Sequence, residues 1–132
     1  MSKHKVTHFE LPTSDQKRAT AFYKTVFDWK LKPMGDEGVD DGYCMAETTD
    51  SDDDGMPVEP GGINGGFYKR ESKKDGPSFV IETDDIDATA ADIERTGGKI
   101  TNQKHSIGDW GYMADFTDPD GNEIGLWEKA KK

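Results

Sequence analysis

Cysteine is almost absent from this 132-residue chain: Cys44 is the one thiol, so no internal disulfide framework can hold the fold. Between Tyr43 and Met45, in a strand-like stretch, it reads as a buried, inert thiol and not as a nucleophile. Positive charge is also scarce. Seventeen Lys and Arg face 27 Asp and Glu, a net charge of −10. That disfavours nucleic acid and anionic membranes as partners, because phosphate binding needs clustered cations. Long apolar runs are missing as well. The start, MSKHKVTHFELP, has no signal core and nothing approaches membrane-spanning length, so the expectation is a soluble cytoplasmic protein. Nor is there a Ser-His-Asp cue, and Ser78 has no evident base.

Aromatic residues, in contrast, are plentiful: six Phe, four Tyr and three Trp. A disordered acidic chain lacks them, so a folded domain with a heavily solvated exterior follows. The length suits a single domain spanning residues 1–132. Solubility, or a salty cytoplasm, explains the acidity more simply than a cationic ligand does.

Along the chain, VTHFEL (6–11) alternates as a strand does. PTSDQKRATAFYKTVFDW then offers a capping Ser/Asp pair and an apolar helix face of Ala19, Phe22, Tyr23 and Val26. WKLKPMG and GYCMAETTD read as strands around the turn-prone DEGVDDG, and INGGFYK follows the acidic loop DSDDDGMPVEPGG. The second half repeats the order. PSFVIETDD is a strand, IDATAADIERTGG a helix stopped by Gly97 and Gly98, and KITNQKHSIGD, WGYMADFTDPDG and NEIGLWEK are three strands. THFELPTSD (7–15) aligns with PSFVIETDD (77–85), and GYCMAETTD (42–50) with WGYMADFTD (110–118), placing Asp50 on Asp118. Two blocks in one order predict an internal βαβββ duplication, module 1 at about residues 5–70 and module 2 at about 76–129.

Strand alternation then sorts the side chains. Phe9, Leu11, Phe79, Ile81, Ile124 and Leu126 are expected on the helix-packed faces. His8, Glu10, Ser78, Val80, Glu82, Gly125 and Trp127 fall on the opposite faces, a polar and aromatic set suited to a ligand cavity. Other motifs are weaker. DSDDDG lacks the closing Glu of a calcium loop and reads as a solvated acidic loop. GGINGG opens no helix and has no Walker lysine, so close backbone approach at the module junction accounts for it. DPDGN (118–122) is a turn. His4 and His105 are expected at the surface, in a tail and a polar loop. Trp110 and Trp127 are read equally as ligand walls or as core filler.

THFELPTSD…AFYKTVFDW at the start and DFTDPDGNEIGLWE at the end resemble the glyoxalase/bleomycin-resistance/extradiol-dioxygenase group, the vicinal oxygen chelate superfamily. GGINGGFYKR and TGGKI resemble its small branch related to lactoylglutathione lyase. The resemblance implies an α+β fold, two tandem βαβββ modules forming a curved sheet around a central cleft with helices outside. It also implies frequent homodimers. Metal-dependent members hold an ion with the first and last strands of each module. Those positions fall here on His8, on Asn64 or Gly65, on Ser78 and on Gly125. Only His8 is a good ligand, and divalent metals need three or four converging donors.

The expected function is therefore metal-independent binding of a small molecule, with catalysis left open, using His8, Glu10, Ser78, Glu82, Trp110, Gly125 and Trp127. No cofactor is expected; a shifted site of His8, Glu10 and Glu82 is the way a divalent metal would be held. The alternatives are a lactoylglutathione-lyase-like lyase or isomerase, or a dioxygenase-related enzyme, with a rebuilt metal site or with Glu10 or Glu82 as base, and sequestration of a cationic antibiotic in a dimer groove. A regulatory or accessory domain is a weaker one.

Overall fold

Thr13 and Thr83 begin the two helices in the same way. Each threonine Oγ1 accepts the N–H of the aspartate two residues on, at 3.1 Å for Asp15 and 3.3 Å for Asp85. Each aspartate then accepts the N–H three residues further on, of Arg18 and of Ala88, both at 3.1 Å. These bonds satisfy donors that a helix start leaves orphaned. Helix α1 (Gln16–Phe27) and helix α2 (Ile86–Arg95) follow. Asp28, at φ 60°, closes the first. Gly97, at φ 108°, closes the second, with Gly98 N–H on the Ile93 carbonyl at 2.9 Å.

The computed structural model describes residues 3–33, 43–72 and 75–131. The chain divides into two units, the first His8–Pro77 and the second Ser78–Lys132 with the opening residues through Thr7. Within the second unit the Lys5 carbonyl accepts the Glu82 N–H at 2.9 Å, which ties the opening segment there.

The first unit holds most of β1 (Val6–Thr13), then α1, β2 (Lys30–Pro33), β3 (Cys44–Glu47) and β4 (Asn64–Lys69). Its strands run in the order β2-β3-β4-β1. The β1–β4 pair is parallel, setting His8 opposite Asn64 and Glu10 opposite Gly66, and the other pairs are antiparallel. The second unit holds β5 (Ser78–Glu82), α2, β6 (Lys99–Ser106), β7 (Gly111–Thr117) and β8 (Glu123–Lys129), in the order β5-β8-β7-β6. Here too the outer pair β5–β8 is parallel and the rest antiparallel. Each unit is thus a βαβββ module of one topology. The anticipated turn DEGVDDG lies outside the described residues.

The turns before β4 and β8 are held by the same bonds from backbone N–H groups. Asp52 Oδ1 accepts the N–H groups of Asp54 and Met56, and Asp118 Oδ1 those of Asp120 and Asn122, all at 2.9–3.0 Å. Gly55 (φ 81°) and Gly121 (φ 85°) take the left-handed position in each. Asp52, not Asp50, is therefore the counterpart of Asp118. Ala46 and Ala114 are both 1 % exposed and hold equivalent core positions, so module 1 carries two additional residues between strand and turn. The acidic run is the first copy of the DPDG turn.

Each core lies between a helix and one sheet face. In the first unit Cys44, Ala46 and Phe67 are buried, packed by Phe9, Leu11, Ala19, Tyr23, Trp29 and Leu31. Tyr23 stacks on Trp29 at 4.8 Å and 12°. Burial also raises the Cys44 thiol pKa, as suits an inert side chain. In the second unit Ile86, Ala114, Phe116 and Leu126 are buried, with Ile81, Ile93, Ile100 and Ile124 against them.

Three expectations about packing are corrected. Phe22 and Val26 are more than half exposed, because the α1 contact narrows to Ala19 and Tyr23 once Trp29 fills the space beside them. Phe79 is 40 % exposed; it lies one residue before the stretch of β5 that pairs with β8, Val80–Glu82. His105 lies in β6 and not in a loop, although it is exposed as expected. Among the described residues no helix is long and apolar enough to cross a membrane.

Candidate functional site

Alternation in β1 sends Phe9 and Leu11 toward α1 and leaves His8 and Glu10 on the opposite face of the first unit. Tyr43, just before β3, reaches them across β4. Its hydroxyl lies 3.0 Å from His8 Nε2 and donates to Glu10 Oε2 at 3.3 Å, while His8 Nε2 is 3.8 Å from Glu10 Oε1. The single phenol proton goes to Glu10, so the hydroxyl accepts from His8, and the imidazole carries its proton on Nε2. The result is a chain: imidazole N–H to phenol O–H to carboxylate.

Gly66 makes this crossing possible. A Cβ there would meet Tyr43 Oη at 2.1 Å and Cζ at 2.4 Å. On the helix side, a Cβ on Gly65 would meet the Phe9 ring at 2.5 Å, along with the Phe9 carbonyl. The glycines of β4 therefore admit aromatic rings folded over the strand within one unit. Gly65 keeps the expected close approach of backbones, to the Phe9 carbonyl of β1, and Gly66 adds the passage of a ring.

Electrostatics follow from the enclosure. Burial lowers the His8 pKa from 6.5 to about 4, so the ring is neutral at physiological pH. Burial, and next the Glu10 charge and hydrogen bond, push the Tyr43 phenol far above its usual range. The chain is a neutral donor, a neutral bridge and a carboxylate acceptor.

The metal positions implied by the family do not form a donor set. His8 Nε2 is already hydrogen-bonded to the Tyr43 hydroxyl at 3.0 Å. Asn64, 7 % exposed, accepts from Thr48 N–H at 2.8 Å and donates to Ser51 Oγ at 2.7 Å and the Gly55 carbonyl at 3.3 Å. Ser78 Oγ donates to the Glu123 carbonyl at 2.7 Å. Gly65 and Gly125 have no side chain to offer. Among the described residues no three His, Cys, Asp or Glu come together as a metal-holding group. A divalent ion does not fit these residues as they stand.

Of the residues anticipated from sequence, His8 and Glu10 come together in the first unit, and Tyr43 is the partner that sequence reasoning missed. Its signal was the repeat itself: Tyr43 aligns with Gly111, so a large side chain in one module replaces none in the other. In the second unit Trp127 Nε1 donates to the Trp110 carbonyl at 2.7 Å, and the Trp110 ring is 45 % exposed. Gly125 faces Val80, Met113 and Asp115, the nearest side-chain atoms to a Cβ built there at 3.1–3.6 Å. Glu82 ends β5, opposite Trp127. Two concavities of the first unit lie elsewhere. One, about 460 Å³, is polar, between Asp28 and Lys30 on one side and Glu47–Ser51 on the other. The other, about 450 Å³, runs beneath α1.

A duplicated βαβββ module of this topology defines an α+β protein of the glyoxalase type, and similarity to known proteins agrees. The Glyoxalase/Bleomycin resistance protein/Dioxygenase superfamily matches residues 5–126, and the chain belongs to that family. It is 30% identical over 119 residues to the Mycobacterium tuberculosis protein named "Putative glyoxylase CFP32", covering 90% of this chain. The chain spans 43% of that relative's length. Among solved structures, hypothetical protein BH1468 from Bacillus halodurans C-125 superposes with a TM-score of 0.66 at 16% identity, covering 99% of this chain and 98% of that one. A Streptomyces coelicolor methylmalonyl-CoA epimerase gives 0.66 at 19% identity, covering 98% and 100%. At such identities these structures attest the fold alone.

Proposed function

We propose that the protein binds a small molecule without a resident divalent metal, and that the His8–Tyr43–Glu10 chain is its polar anchor. One observation carries this reading: the sole good ligand at a family metal position is hydrogen-bonded through Nε2 to the Tyr43 hydroxyl, which also contacts Glu10. Such a chain presents a hydroxyl and a carboxylate to a ligand, and the phenol O–H can turn from Glu10 toward a ligand acceptor. Glu82, Trp110, Gly125 and Trp127 stay in the proposal as ligand-contacting positions of the second unit, as does Ser78, though with its hydroxyl already engaged. A homodimer is part of the same reading.

The test is a nickel and zinc titration followed through the ring nitrogens of His8. Unchanged His8 resonances at equimolar metal support the proposal. Saturable displacement of the His8 signals at stoichiometric nickel or zinc overturns it. A bleomycin titration of the same sample addresses cationic-antibiotic sequestration, which the net charge of −10 favours electrostatically.

A second reading rests on Glu10. Its carboxylate, in contact with the Tyr43 hydroxyl on the same face as His8, is the kind of base a lyase or isomerase uses to take a proton from its substrate. Turnover of methylglyoxal with glutathione that disappears in Glu10→Gln would establish it. No turnover, with or without added divalent ions, removes it.

A further inference from the structure

Two of the chain's three arginines line one apolar groove. The groove, about 450 Å³, lies in the first unit under α1, bounded by Leu11, Phe22, Tyr23 and Pro77 with Arg18 and Arg70 at its polar edge. It is on the other side of β1 from His8 and Glu10, because Leu11 points toward the helix.

The arginines differ from the third in their partners. Arg95 is paired with Asp92 at 2.6 Å. Arg18 Nη2 donates to the Ser14 hydroxyl at 3.2 Å and Arg70 Nη1 to the Asp75 carbonyl at 2.6 Å, both neutral acceptors. Among the described residues neither guanidinium forms an ion pair. The adjacent carboxylates have other work: Asp15 caps α1, and Asp75 Oδ2 accepts the N–H groups of Glu71 and Ser72. A guanidinium has five N–H donors, so each arginine is anchored through one and keeps others for an anion. In a chain of net charge −10, two guanidinium groups without an ion-pair partner among the described residues thus flank one apolar trough.

Half-exposed Phe22 completes the picture. At 54 % exposure it leaves apolar area on the groove wall that its own fold does not cover. A volume of this size falls in the range of small-molecule sites. We infer that this groove binds a small amphipathic anion, its carboxylate on Arg18 and Arg70 and its apolar body along Leu11, Phe22, Tyr23 and Pro77.

The probe is sodium dodecanoate, titrated below its micelle concentration and followed by calorimetry and amide NMR. The expected result is saturable one-to-one binding with shifts at residues 11–23 and 67–77. Losing one charge-assisted contact weakens binding by about tenfold or more, so Arg18→Gln and Arg70→Gln each do so and the double variant abolishes it. Dodecyltrimethylammonium, with the same tail and opposite charge, shows no saturable binding. Both arginines are exposed, so the variants fold, and Phe22→Ala weakens dodecanoate while leaving the charges in place. The inference is overturned by absent or non-saturable binding, or by equal binding in the arginine variants. A response to inorganic phosphate without one to dodecanoate also overturns it, as does concentration-dependent self-association that shields these residues.

Discussion

Removing one oxygen, by Tyr43→Phe, tests the hydrogen-bond chain directly. The hydroxyl bridges His8 Nε2 at 3.0 Å and Glu10 Oε2 at 3.3 Å. A neutral hydrogen bond contributes about 1 kcal/mol net and one to a charged group about 1.5–3 kcal/mol. The bond to Glu10 is long, so the low end applies, and the loss is about 2–3 kcal/mol. For a domain of this size that lowers the melting temperature by about 6–15 °C. Thermal and urea unfolding of both proteins measure it. A second readout separates the bridge from mere packing: without the hydroxyl, His8 Nε2 faces Glu10 Oε1 at 3.8 Å unshielded. The carboxylate then favours the imidazolium, and the His8 pKa rises from about 4 in an NMR titration. Stability within about 0.5 kcal/mol of the parent, a difference typical of neutral surface changes, together with an unmoved His8 titration, would refute the bridge.

Further outcomes follow from the same geometry. His8 is held near pKa 4 when folded against 6.5 when unfolded, so the unfolded chain binds the extra proton between those values. Its contribution is therefore complete above about pH 6.5 and declines as pH falls toward 4, by at most about 3 kcal/mol. Urea unfolding at several pH values should show that slope in the parent and a flatter one in His8→Gln; equal slopes contradict the assignment. Gly111→Ala should cost more than about 3 kcal/mol, because a Cβ would sit 2.1 Å from the Glu128 carbonyl at φ 112°. Gly121→Ala, at φ 85° with open space around it, should cost only about 1 kcal/mol, and equal melting temperatures for the two variants count against this ranking. Asn64→Ala should release residues 48–58, since Asn64 binds Thr48, Ser51 and Gly55. Unaltered hydrogen exchange there contradicts the tether.

The modules and their helix ends were legible because local chemistry specifies them. Thr-x-Asp recurs 70 residues apart, and each copy makes the same two bonds. Strand parity likewise placed His8 and Glu10 together. Parity cannot say how far a side chain reaches across neighbouring strands. Tyr43 meets β1 only because β4, between them, has a glycine at position 66, and that pairing depends on register. The Asp52 turn was hidden by two additional residues in module 1, which pulled the alignment onto Asp50. Exposure at Phe22 and Val26 was equally out of reach, since periodicity marks a face but not how much of it the sheet can cover.

The central claim is that His8 serves a phenol and not a metal. Metal content of protein produced without supplementation and purified without chelator, determined by plasma mass spectrometry, tests it most directly. Nickel, zinc, iron, manganese and cobalt should each be far below one equivalent per chain, unchanged in His8→Gln. One equivalent of any of them, lost on His8→Gln, contradicts it.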